Sequence, residues 1–174
     1  AVISLSGMVV AHSIRVGGNR IDDAIAAVPQ RTDRSRVGER SVGEGKVWVG
    51  RALSPDGCRP MVGRGRDRGS CLPTNVVLNL REIAAAIQDP LAQLVGAVRG
   101  VLEQTPPELA ADIYDKGIVL SGGGALLRGI DRYLVMHTGV PAIIADDPQT
   151  CVARGTGIAL EHFEVLKRNQ LYLR

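Results

Sequence analysis

Gly117-Ile118-Val119-Leu120-Ser121-Gly122-Gly123-Gly124-Ala125-Leu126-Leu127-Arg128-Gly129-Ile130 joins a short apolar run to three consecutive glycines and then to a helical pattern. It reads as strand, loop, helix. Without side chains at Gly122, Gly123 and Gly124 the backbone turns sharply and its N–H groups can approach a ligand, while a following helix adds a partly positive N-terminus. That is the physical description of a nucleotide-contacting turn. A glycine-rich turn that packs tightly and binds nothing has the same composition, so the motif acquires meaning only from its context.

Working outward, Glu108 to Tyr114 reads as a short helix that ends at Gly117 and delivers the chain into the central strand. Thr105-Pro106-Pro107 separates it from a long helical region. Asn79, with Glu82 three residues on, resembles a capping arrangement at the start of that region. Ile83, Ala84 and Ile87 make its first apolar face, Asp89-Pro90 restarts the helix, and Leu91, Leu94, Val95, Val98 and Leu102 continue at helical spacing. Beyond the glycines, Leu126, Leu127, Ile130, Leu134 and Val135 suit a helix ended by Gly139. Pro141 to Ala145 reads as a short buried strand, and Asp146-Asp147-Pro148 marks its exit. A last helix is expected to begin near Pro148 to Thr150 and to run through Ala153, Ile158, Leu160 and Phe163 toward Leu166, and the tail from His162 to Arg174 is expected to be a docked C-terminal helix. Strand, helix, strand, helix predicts an α/β layer with parallel strands joined by right-handed crossovers. Ligands of such layers sit at the carboxyl ends of the strands, where Gly122 to Gly124 fall.

The first half is less regular. Val2, Ile3 and Leu5, then Met8, Val9 and Val10, flank Ser6-Gly7 and predict a hairpin. Asn19 is placed to cap a helix with Ile21, Ala24, Ile25 and Val28 on one face, stopped by Pro29 and lying against the hairpin. From Gln30 to Thr74, Arg, Gly and Ser crowd together and no hydrophobic period persists; only Lys46 to Val49 looks like a strand, and no stable core is expected.

Composition excludes several function classes. At 174 residues and 45% hydrophobic the chain buries a real core. Aromatics make up 3%, too few for stacking platforms that bind single-stranded nucleic acid. The net charge of +3 comes largely from arginines between Arg31 and Arg68 and sets up no global field for nucleic acid or anionic lipid. Cys58, Cys71 and Cys151 have no metal spacing with one another or with His12, His137 and His162, so no metal is assigned to protein ligands and a reducing compartment is expected. The opening residues resemble neither a signal peptide nor a membrane span. The chain begins without Met and is expected to be part of a longer protein.

Three separated blocks now carry a resemblance. Thr105 to Ile113, Gly117 to Gly129, and Asp147-Pro148-Gln149-Thr150-Cys151-Val152-Ala153-Arg154-Gly155-Thr156-Gly157, in that order, closely resemble the C-terminal part of the MreB family of bacterial actins. Ala1 to Ala27, with Ser13-Ile14-Arg15-Val16-Gly17-Gly18 its most telling part, is similar to the hairpin and helix of the same family's second lobe; between Val28 and Leu72 the likeness is patchy.

The resemblance implies an actin-like, RNase-H-type α/β fold: a second lobe that opens with a β-hairpin and closes with strand, helix, strand, helix, interrupted by a poorly ordered small subdomain. On this reading residues 1–28 begin the large subdomain, 29–80 are a divergent insertion, and 81–174 complete the large subdomain. It implies that ATP, with Mg carried by the nucleotide, binds in a cleft, with Ser121, Gly122, Gly123, Gly124, Ala125 and Leu126 on the adenosine side and Glu44 and Lys46 as a second contact from the small subdomain. Gly43 and Gly45 depart from the family pattern around that second contact. It further implies self-association into filaments, and partners in cell shape and wall synthesis at the inner membrane face. The family is a slow ATPase, but its phosphate loops and water-activating acid would precede Ala1, so no catalytic residue is assigned and no hydrolysis by this chain alone is expected. The alternatives weighed are another actin-superfamily protein, a sugar or acetate kinase or an Hsp70-type ATPase, and a basic nucleic-acid-binding module.

Overall fold

The β-branched residues that open the chain form the expected antiparallel hairpin. Strand β1 (Val2–Ser4) pairs with β2 (Gly7–Val10) in the register Val2↔Val10, Ile3↔Met8 and Ser4↔Gly7. Gly7, read from the sequence as part of the turn, has φ 124° and is the first residue of β2. The computed structural model describes residues 1–5, 7–32, 35–38, 41–43, 61–67 and 69–168. It divides into two units, one of Ala1–Arg15, Leu94–Leu126 and Asp131–Arg174, the other of Val16–Gln93 and Leu127–Ile130.

The second unit holds most of the buried apolar side chains. Helix α1 (Gly18–Thr32) buries Ile21, Ile25 and Pro29, four residues apart and therefore on one face. Its first bonds run from the Arg20 and Ile21 N–H groups to the Gly17 carbonyl, so Asn19 lies inside the helix and is not its cap. Nor does Pro29 stop it: the helix continues to Thr32. Proline removes one donor and crowds the preceding turn, and burial of its ring offsets part of that loss.

Strands β3 (Ser35–Val37), β4 (Met61–Asp67) and β5 (Pro73–Leu78) form an antiparallel sheet with β4 in the centre. Helix α1 packs against β3 and β5; the sequence had placed it against the hairpin. The expectation that Gln30 to Thr74 lacks a core is corrected by this sheet; the anticipated strand at Lys46 to Val49 lies outside the described residues. The missed signal is physical. The inward positions of β4 are glycines, the buried Gly63 and the half-buried Gly65, alternating with the exposed Val62, Arg64 and Arg66, so the period of two is carried by missing side chains and not by apolar ones. A Cβ on Gly65 would lie 2.5 Å from the Arg36 carbonyl oxygen and 3.0 Å from Val76 Cγ2. Over Gly63 sits Ser41, whose Oγ accepts the Arg64 N–H at 3.1 Å.

Helix α2 (Leu80–Glu103) is capped at Asn79, whose Oδ1 accepts the Arg81 N–H at 3.1 Å. Ile83, Ile87, Leu91 and Val95 form its buried stripe. Pro90 does not restart the helix, which is continuous through it. The C-terminal part of α2 belongs to the first unit, where Arg99 donates from both Nε (3.1 Å) and Nη2 to the His137 carbonyl. That carbonyl is at the end of helix α4 (Ile130–Thr138), where a cation and a donor are both favourable. Gly139, φ 74°, ends α4 as its sequence position predicted.

Helix α3 (Pro107–Lys116) precedes strand β6 (Ile118–Leu120), which pairs in parallel with β7 (Ala142–Ile144). The remaining elements are α5 (Cys151–Glu161) and α6 (Phe163–Arg168), broken at His162 where one helix was expected. One further expectation is corrected: strand β7 is not buried, since Ile143 is 55% exposed. Helix α5 buries no residue, with Val152, Ile158 and Leu160 open to solvent.

Gly65→Ala is expected to destabilise the chain by about 2 kcal/mol, because the close backbone of Arg36 must move. Gly96→Ala, in the middle of α2 with nothing within 4 Å of the new methyl, is expected to stabilise it by about 1 kcal/mol. Urea unfolding of the two variants checks both signs.

Candidate functional site

The central stretch is held at both ends by backbone geometry. Gly117 ends α3 with φ 84° and ψ −175°, and its N–H donates to the Ile113 carbonyl at 2.8 Å. A Cβ there would lie 2.7 Å from the Pro141 carbonyl oxygen, the same oxygen that accepts the Ile118 N–H at 2.7 Å. Glycine is therefore required for β6 to start against Pro141. The register then runs Ile118↔Ala142, Val119↔Ile143, Leu120↔Ile144, and the Ala145 N–H closes the far end on the Leu120 carbonyl at 2.9 Å.

Both strands thus deliver their carboxyl ends side by side. From β6 the chain enters Ser121 and Gly122; from β7 it enters Asp146 to Thr150. The Gly122 N–H donates to the carbonyl of Pro148 at 2.7 Å, which ties the two loops together. Gly122 has φ 84°, a conformation that disfavours any side chain. Gly123–Leu126 then form a single 3₁₀ turn, so the helix read directly after the glycines is corrected: Gly129, φ 85°, intervenes and α4 begins at Ile130. Ala125 is buried and anchors the turn, while Ser121, Gly123, Gly124 and Leu126 are exposed. The N–H groups of Gly123 and Gly124 open the 3₁₀ turn, where a helix start supplies no internal partner.

Among the described residues, a Cβ added at Gly122, Gly123 or Gly124 would meet nothing within 4 Å beyond its own chain neighbours. Apart from φ at Gly122, then, neighbouring protein atoms do not explain three glycines in a row.

The structure brings together the six sequence-predicted residues from Ser121 to Leu126 in one exposed turn. Glu44 and Lys46 lie outside the described residues. Asp147 and Thr150, read from the sequence as a strand exit, a helix start and part of a block that carries the family resemblance, border the turn through Pro148. Among the described residues no cluster of His, Cys, Asp and Glu is arranged to hold a metal, and no helix is long and apolar enough to cross a membrane. The His137 ring lies tilted against that of Tyr133, centroids 4.4 Å apart. A groove of about 640 Å³ between α1 and α2 is floored by Ala24, Ala27, Ala85 and Ala86 and contains none of the nominated residues.

The backbone matches the crystal structure of MreB5 of Spiroplasma citri bound to ADP with a TM-score of 0.80 at 34% identity, covering 92% of this chain and 49% of that one. The same protein bound to AMPPNP matches equally well. The fold is therefore actin-like, and the glycine turn lies at the carboxyl ends of its parallel strands. The sequence narrows this class: a profile of the family described as MreB/Mbl protein matches residues 1–168. The cell shape-determining protein MreB of Escherichia coli (strain K12) is 47% identical over 165 residues, and the cell shape-determining protein Mbl of Bacillus subtilis (strain 168) is 38% identical over 172. The chain belongs to the MreB/Mbl family. It covers 48% of the former relative and 51% of the latter, about half of each.

Replacing Gly122 by Ala is expected to lower stability by about 1 to 2 kcal/mol through its positive φ, whereas Gly124→Ala, with open space around it, changes the unfolding midpoint little. Thermal unfolding of the pair separates the two glycines.

Proposed function

We propose that this chain forms the adenosine side of the nucleotide site in a cell-shape-determining, filament-forming bacterial actin. The observation that carries this reading is the turn at Gly122 to Gly124, at the carboxyl ends of two parallel strands and with space for a Cβ at each glycine among the described residues. Membership of the MreB/Mbl family supports it, as do the ADP and AMPPNP bound to the Spiroplasma relative.

In this reading Ser121 to Leu126 line the base and ribose side, Glu44 and Lys46 supply a second contact from the small subdomain, and Mg accompanies the phosphates. The turn's part is binding and orientation: backbone N–H groups meet polar atoms of the nucleotide without a side chain intervening. Hydrolysis requires phosphates, metal and attacking water to be held together, and none of the residues assigned here does that. Filament formation, wall-synthesis partners and residence at the inner membrane face belong to the same proposal. An actin-superfamily kinase is disfavoured by the family match over residues 1–168.

Titration calorimetry with ADP tests the site. The chain is expected to bind weakly, and Gly123→Val or Gly124→Val to weaken binding by about tenfold, worth 1.4 kcal/mol, with an unchanged unfolding midpoint. Equal affinity in parent and variants would remove the turn from the site. Phosphate release from ATP by the chain alone is expected to stay at the level of a denatured control.

A further inference from the structure

The loop that leaves β7 is built in an unusual way. Asp147 has φ 48°, in the left-handed region that a side chain disfavours. Thr150 stands at the N-cap of α5 but makes no side-chain bond to that helix, although accepting an N2 or N3 N–H is the ordinary use of threonine there. Its hydroxyl turns backwards instead. Oγ1 lies 2.6 Å from Asp147 Oδ2 and 3.2 Å from the Asp147 carbonyl oxygen, and the Thr150 N–H donates to that carbonyl at 3.0 Å. Between the two residues Pro148 is buried, and its carbonyl receives the Gly122 N–H at 2.7 Å. The unused helix cap, the left-handed aspartate and the carbonyl bonded to Gly122 thus fall within four consecutive residues.

We infer that the Asp147–Thr150 clasp is a positioning device for the glycine turn. It holds the Pro148 carbonyl where the Gly122 N–H must meet it, and so keeps Gly122 at its positive φ with Gly123 and Gly124 clear of other protein atoms. The inference rests on the reading of that turn as an adenosine site; Asp147 and Thr150 act through Gly122 and need not touch the nucleotide. Asp147 supplies a short acceptor and is among the few residue types that enter the left-handed region readily. Thr150 supplies the donor, and Pro148 the oxygen.

The test uses Thr150→Val, which keeps the shape and removes the hydroxyl, beside Thr150→Ser, which keeps the hydroxyl. Amide hydrogen exchange is read at Gly122 and at Ala145, whose N–H closes the same strand pair on Leu120, and ADP affinity is measured in parallel. Thr150→Val is expected to speed exchange at Gly122 about tenfold more than at Ala145 and to weaken ADP about fivefold, while Thr150→Ser restores both. If Gly122 and Ala145 accelerate together, or Val and Ser behave alike, the hydroxyl is a general stabiliser and the inference fails. If the parent chain takes up no ADP, the adenosine reading fails by itself, and the exchange ratio still decides whether the clasp sets the turn.

Discussion

The parallel pairing of two three-residue strands is the constraint on which the rest of the first unit depends. Strands this short supply few ladder bonds, and a parallel pair is slightly weaker per residue than an antiparallel one. Strands β6 and β7 are therefore closed from outside their own register: Ile118 to the Pro141 carbonyl at one end, Ala145 to the Leu120 carbonyl and Gly122 to the Pro148 carbonyl at the other. Each closure needs a particular backbone. Gly117 must lack a Cβ for Pro141 to approach, and Gly122 must take a positive φ. The glycine turn and the strand pair are thus one structure, and the site inherits its geometry from the ladder.

The second unit solves a different problem. Its core is a conventional stripe of Ile, Leu and Val on two helices, but the sheet that faces part of it is drawn close by absence. Where Gly63 and Gly65 stand, the neighbouring chain, Ser41 and the Val76 side chain occupy the volume that side chains of β4 would take. Close packing of this kind gains dispersion contacts at the cost of the larger backbone entropy that glycine loses on ordering. The buried prolines of α1 and α2 follow the same logic, since a lost backbone bond is tolerated where the ring itself is packed.

Much of this architecture was legible in the residues. The hairpin, the faces of α1 and α2, the break at Pro106-Pro107, the end of α4 at Gly139 and the strand into the glycines each rest on local rules of period, capping and turn chemistry. The family was legible too, because three blocks in order are specific where one glycine motif is not. Illegible were the features in which tertiary packing overrides a local preference: helices that pass through Pro29 and Pro90, a sheet whose buried face is glycine, and the exposure of β7 and α5. Of the candidate site, Gly122 to Gly124 were legible as a turn where the backbone can approach a ligand, and Ser121 to Leu126 were nominated through the family resemblance, while the contacts of Asp147, Pro148 and Thr150 were not legible, since no spacing rule announces that a carbonyl will accept from an amide 26 residues earlier in the chain.

By itself the sequence determined that this chain is an α/β protein with a glycine turn after a strand, and that it resembles the bacterial actins, because glycine and proline act locally and motif order survives without coordinates. The tertiary structure decided which of the three glycines is conformationally required, that the turn is a 3₁₀ segment and not the first turn of a helix, and what holds it. The physical reason is that a positive φ and a hydrogen bond between distant loops depend on where two strands end in space, and residue identity alone does not specify that position.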